Sequence, residues 1–175
     1  MNNILLSPHF ALLEFIESPT ARKYGIANIP PPEAEGNLRR LCEHTLEPLR
    51  EALQQPVIIT SGYRCKALNI KVAHQSEKSQ HLKGQAADFY VGWSVPPSGC
   101  GQSGSKPTAR ERLIQAFRLI LTSSSIDFDQ LILYPTFIHV SYVSREANRH
   151  TILLANRDGK LGYGKCSLEK ALTIQ

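Results

Sequence analysis

The chain predicts an α+β fold, a small and mostly antiparallel sheet packed with helices. Three observations carry that reading. Short apolar runs of strand length fall in a strand–helix–strand–strand order, separated by long irregular stretches. Two of these runs, 128–134 and 137–142, flank the turn Pro135-Thr136 and read as an antiparallel hairpin. Two longer segments carry apolar residues at steps of three and four, the period of a helix that buries one face.

The elements follow in chain order. Leu12-Leu13-Glu14-Phe15 predicts a short helical turn with Phe10 and Leu13 inward. Ser18-Pro19 predicts a capped helix ending near Tyr24-Gly25. Leu38, Leu41, Cys42, Thr45, Leu46, Leu49 and Leu53 place a long helix over 33–53, which Pro48 should kink or break near His44 and Thr45. His44 is expected on the solvent side. Pro56-Val57-Ile58-Ile59-Thr60 predicts a short buried strand, 65–78 an irregular segment anchored by Leu68 and Asn69, and 88–91 a second strand. The Gly-, Pro- and Ser-rich stretch 92–107 reads as a loop near the site. Thr108-Ala109-Arg110-Glu111 opens another helix with a capping box, its inner face at Leu113, Ile114, Ala116, Phe117, Ile120 and Leu121. Thr151-Ile152-Leu153-Leu154 gives a last short strand.

At 175 residues the chain reads as one domain over 1–175, with its core at about 7–154 and a peripheral tail at 155–175. Hydrophobic content of 42% and charged content of 20% are ordinary for a soluble globular protein, and a monomer is expected. No apolar run reaches the length of a membrane span, and 1–8 lacks the basic start of a secretory signal. Cytoplasmic synthesis is expected, so any target beyond the membrane requires export or release by other means. The net charge of +5 and pI of about 9.1 come without a dense Lys/Arg run, so no nucleic-acid partner is expected. Cys42, Cys65, Cys100 and Cys166 form no C-x-x-C pair and are expected as free thiols.

The residues with chemistry cluster in Ser79-Gln80-His81-Leu82-Lys83-Gly84-Gln85-Ala86-Ala87-Asp88. An imidazole nitrogen and a carboxylate oxygen are both good ligands for zinc, and a catalytic zinc site takes three protein ligands and keeps one position open. His139 suits the third place. It lies in mid-strand, where alternation puts it on one face with Ser141, and Ile138, Val140 and Tyr142 on the other. His9 and His150 fall near element ends, and His74 in a polar loop.

Ser79-x-His81-x-x-Gly84-x-Ala86-x-Asp88, preceded by Ser61-Gly62-Tyr63-Arg64 and followed by Ile138-His139-Val140-Ser141-Tyr142, resembles the zinc D-Ala-D-Ala carboxypeptidase / L-alanyl-D-glutamate endopeptidase family. The N-terminal pattern (Ser7-x-x-Phe10, Ala21, Gly25-Ile26, Leu46-x-Pro48-Leu49-Arg50) is similar to its phage and bacterial branch. The resemblance implies a hedgehog/DD-peptidase-like fold and Zn2+ held by His81, Asp88 and His139. It implies hydrolysis of an amide bond in peptidoglycan stem peptides. Arg64 resembles the arginine that holds the substrate carbonyl or the oxyanion, a task that suits a permanently charged planar donor. Ser79 resembles the motif serine that orients the ligand loop or a substrate carboxylate.

The chain also departs from the family. Many members place Glu or Asp three residues before the last zinc histidine as general base, and here that position is Thr136. The acids close by are Asp127 and Asp129, with Glu77 before the motif. Asp129 is the candidate base, ten residues upstream of His139. Gln130 is a candidate to orient water and Tyr134 to donate to an oxyanion. Paired glycines frequent before the motif are replaced by Ala73-His74. A peptide-binding module that has lost turnover is the alternative these departures leave open.

Overall fold

A computed structural model describes residues 4–72, 76–94, 106–155 and 163–174. A two-strand ribbon, β1 (Leu5–Ser7) against β2 (Phe10–Ala11), runs into the short helix α1 (Leu12–Ile16). Phe10 and Phe15 are fully buried and meet edge to face at 6.2 Å. Leu13, expected inward, is exposed instead. Leu12 and Phe15, three positions apart, share the inner face of this helix and turn Leu13 outward. In α2 (Pro19–Tyr24) Ser18 Oγ accepts from the Ala21 amide, and Gly25 closes the helix with φ 61°.

Pro48 acts where expected. α3 (Pro32–Leu41) passes into a π-helical turn over Cys42–Leu46, and α4 (Glu47–Leu53) then resumes. Proline lacks an N–H and its ring crowds the carbonyl four residues back, so the backbone widens there. The displaced His44 carbonyl accepts the Asp127 amide at 3.0 Å, and the half-buried His44 ring stacks on Tyr142 at 4.9 Å.

β3 (Val57–Ser61) lies at a sheet edge, and among its apolar residues Val57 alone is fully buried, so the expected buried strand is half exposed. The segment expected to be irregular contains α5 (Lys66–Lys71), which buries Leu68 and Asn69. A 3-10 turn, Gln80–Lys83, leads into β4 (Ala86–Val91). Ala73-His74 and 95–105, most of the predicted loop, lie outside the described residues. α6 (Ala109–Thr122) opens on the predicted capping box: Thr108 Oγ1 accepts the Glu111 amide at 3.2 Å while Glu111 Oε2 accepts the Thr108 amide at 2.7 Å. The strands β5 (Gln130–Leu133), β6 (Ile138–Ser141), β7 (Thr151–Ala155) and β8 (Tyr163–Lys165) follow, then α7 (Leu168–Leu172). The expected peripheral tail thus adds an edge strand and a helix that buries Ala171 against α6.

The main sheet has the order β3-β4-β6-β5-β7-β8 and is antiparallel except for the parallel pair β5–β7. Ala87 and Phe89, Ile138 and Val140, Leu131 and Leu133 all enter the core beneath the helices. Strand alternation sends their neighbours to the other face. There Asp88, His139, Ile132 and Leu153 are register partners in one row across four strands. This is the helix-backed α+β arrangement of a hedgehog/DD-peptidase-like fold. No described helix is long and apolar enough to cross a membrane, and Cys42, Cys65 and Cys166 are free.

Candidate metal centre

The row across the sheet holds two of the three predicted ligands. Asp88 on β4 pairs directly with His139 on β6, so both side chains leave the same face. His81 reaches them from the 3-10 turn. Two glycines hold that turn in place. Gly84 caps it with φ 67°, and a Cβ there would lie 2.3 Å from the Ala34 carbonyl oxygen of α3. Only glycine satisfies both the left-handed backbone and the close approach. At Gly62 a Cβ would lie 2.6 Å from Phe15 Cβ, so the Ser61-Gly62-Tyr63-Arg64 segment can lie against α1.

That segment grips the ligand turn directly. The Gly62 carbonyl lies 2.6 Å from His81 Nδ1, and the Arg64 amide donates to the His81 carbonyl at 3.1 Å. Two buried asparagines brace the pair. Asn28 Nδ2 donates to the Tyr63 and Ile16 carbonyls, and its Oδ1 accepts the Cys65 amide at 2.8 Å. Asn37 Nδ2 donates to the Lys83 carbonyl at 2.8 Å. Neither asparagine carries a motif in the sequence, since the partners lie far along the chain.

A carbonyl can only accept, so His81 Nδ1 carries the hydrogen and Nε2 keeps its lone pair toward Asp88, 3.4 Å from Oδ1. Burial pushes the His81 imidazole below its usual range, against the pull of Asp88. His81 is therefore held neutral, the form that ligates a metal. Burial would raise the Asp88 carboxyl, but the two imidazoles that converge on it hold it far below the usual carboxylate range. His139 Nδ1 lies 2.7 Å from the same Oδ1. One ligand atom from each of His81, Asp88 and His139 falls within 4.8 Å of the others. Two imidazoles and a carboxylate converging at this separation fit a divalent cation, and the hydrogen bond from His81 Nδ1 to a backbone carbonyl is the outer support such ligands have.

The cluster opens onto a cavity of about 880 Å³, a volume suited to a peptide-sized ligand. Arg64, Ser79, Gln130, Tyr134 and Thr136 all line it. An Arg64 Nη donates to Ser79 Oγ at 3.3 Å. Arg64 Nε is buried without a hydrogen-bond partner among the described residues, and burial lowers the guanidinium below its ordinary value. Tyr134 stacks on Phe137 at 4.1 Å, and both line the cavity.

Asp129, the candidate base, is buried and committed elsewhere. Both of its oxygens are bonded to the Arg149 side chain, Oδ1 also accepts the Arg149 amide at 2.9 Å, and Gln80 Nε2 donates to Oδ2 at 2.9 Å. Burial would raise this carboxyl, but these bonds hold it below its ordinary value, which makes it a weak proton acceptor. Asp127 is likewise bonded to His150, at 2.9 Å, away from the cavity. Sequence reading missed Arg149, Lys78 and Lys83, which also line the cavity. Lys78 and Lys83 stand beside the motif, and nothing local marks Arg149.

No curated protein matches the chain. A family model described as Peptidase M15 matches residues 8–97, a span that takes in the Gly62 and Arg64 segment, His81 and Asp88 and stops before His139. With that match over half of the chain, and β6 bringing His139 to the matched ligands, the chain belongs to the peptidase M15 family.

Proposed function

We propose that the protein is a zinc-dependent hydrolase of an amide bond in peptidoglycan stem peptides, either a D-Ala-D-Ala carboxypeptidase or a related endopeptidase. The observation that carries this reading is the convergence of His81, Asp88 and His139 beneath a cavity that Arg64 also lines. His81, Asp88 and His139 would hold the ion, and a donor set of two imidazoles and one carboxylate suits zinc. When bound, it supplies Lewis acidity for amide hydrolysis.

The chain's own residues do the rest. Arg64, steadied by Ser79, directs its charge at the carbonyl oxygen where negative charge develops. Tyr134 offers a second donor to that oxygen, and Gln130 orients the attacking water. Burial keeps His81 neutral, and the Gly62 carbonyl fixes the hydrogen on Nδ1 so that Nε2 faces the ion's place.

A second reading rests on Thr136 and on the state of the carboxylates. Among the described residues the acids lining the cavity are Asp88 and Asp129, one a ligand and the other bonded to Arg149. This supports a zinc-containing module that binds wall peptides without cutting them.

One experiment separates the two. Purified protein is incubated with muropeptides, with and without chelator, and products are followed by mass spectrometry. Metal-dependent loss of D-Ala or cleavage within the stem supports the hydrolase. Binding without any product, with turnover appearing only in Thr136→Glu, supports the module. If neither cutting nor binding is seen with metal-loaded protein, both readings are wrong.

A further inference from the structure

The Asp129–Arg149 pair does more than occupy a carboxylate. Asp129 is 1% exposed, yet the arginine side chain that grips it is 57% exposed and lines the cavity. Nε meets Oδ1 at 2.9 Å and one Nη meets Oδ2, a fork on both oxygens. Gln80, the residue before His81, joins the two: its Nε2 donates to Asp129 Oδ2 at 2.9 Å and its Oε1 accepts from the same Nη at 3.3 Å. These bonds fix the guanidinium plane while using one edge of it. The second Nη takes no part in them, and a guanidinium offers five donors in all.

We propose that Arg149 is a specificity-determining residue that anchors a carboxylate of the substrate, so that the stem peptide is recognised as an anion. The proposal rests on the peptidase reading above and names what that site selects. Charge supports it: Arg64, Lys78, Lys83 and Arg149 line the cavity against Asp88 and Asp129, before any metal is counted. Pre-orientation supports it as well, because a guanidinium already held by a buried carboxylate loses little freedom on binding a second one.

Register sets the scale of the distance between the ligand row and the anchor. His139 pairs with Ile132, and Asp129 lies three residues further along the same strand direction. At about 3.4 Å per residue that is about 10 Å, which an extended peptide covers in about three residues. The anchored carboxylate therefore belongs to the residue being cut or one within about three positions of the scissile bond. Ile132 and Leu153, side by side in the ligand row, also line the cavity.

The test uses zinc-loaded protein and a matched set of stem peptides in which each free carboxylate is converted in turn to its carboxamide. One conversion is expected to raise KM by about ten- to a hundredfold, the loss of one charge-assisted contact. Arg149→Met should raise KM for the parent peptide by the same factor. It should cost the sensitive carboxamide little more, because that peptide already lacks the contact. Arg149→Lys, which keeps a charge beside Asp129, should fold and recover part of the discrimination. Metal content by mass spectrometry should stay at wild-type level in both variants. Equal effects of Arg149→Met on parent and carboxamide, or loss of metal with KM unchanged, would show the pair to be a structural clasp only and overturn the proposal. If the wild type cuts no peptide the hydrolase reading fails separately. Calorimetric binding of the same set to wild type and Arg149→Lys then decides the anchor alone: no preference for the carboxylate forms overturns it.

Discussion

Single residues decide whether the ligand set exists. Gly84 ends the turn that carries His81, in a left-handed backbone pressed against Ala34. Gly84→Ala adds a Cβ where the carbonyl oxygen is 2.3 Å away. Combining the unfavourable φ with overpacking, the expected loss of stability is about 3 kcal/mol. Urea denaturation measures it, and metal titration should show weaker binding as the turn shifts. An unchanged urea midpoint would mean that the turn has room the contact distances deny. The residue scale is also where sequence reading was strongest: alternation placed His139 and Ser141 on one face, and the register of β4 on β6 then sets Asp88 beside His139. It was weakest for Asp129, whose type suggested a base. Only its partners, Arg149 and Gln80, reveal a carboxylate already bonded on both oxygens.

At the scale of elements, the junction between the π-helical turn and α4 is held from outside the helix. Glu47 is buried at the start of α4, where Ser7 Oγ donates to its carboxylate at 2.6 Å and His9 contacts it through both its ring and its amide. Burial would raise this carboxyl, but the bonds from His9 and Ser7 hold it below its ordinary 4.5. A depressed folded-state value means the stabilisation is complete above about 4.5 and is lost as pH falls through the lower, folded value. Glu47→Gln should therefore destabilise at pH 7 by about 1–3 kcal/mol, with the gap from wild type closing as pH falls below the ordinary 4.5. Thermal unfolding across that range tests it. A gap independent of pH would assign the effect to packing rather than charge. Pro48 made the break in this helix legible in advance, whereas the tie to Ser7 and His9 spans about forty residues and left no local mark.

For the whole molecule, the site couples to folding because its ligands come from segments far apart in the chain. His81, Asp88 and His139 converge only when the turn, β4 and β6 are assembled, so a bound ion favours the folded state. Saturating metal at about a hundred times its Kd should add about 2.7 kcal/mol, or about 5–10 °C in Tm for a chain of this size. Chelator should remove that increment in the wild type and leave His139→Ala unaffected. Melting curves that ignore both metal and chelator would remove the cluster as a binding site.

The sequence by itself determined the elements whose causes are local: the capped helices, the Pro48 break, the hairpin and the parity of His139. It determined the motif spacing that puts His81 and Asp88 at the two ends of one short segment. Tertiary structure decided what depends on partners far away in the chain. It set the edge position of β3, added β8 and α7 to the fold, braced the ligand turn through Gly62, Asn28 and Asn37, and joined Asp129 to Arg149. The physical reason is that periodicity and capping act within a few residues, whereas hydrogen bonds between buried side chains join groups whose separation along the chain carries no signal.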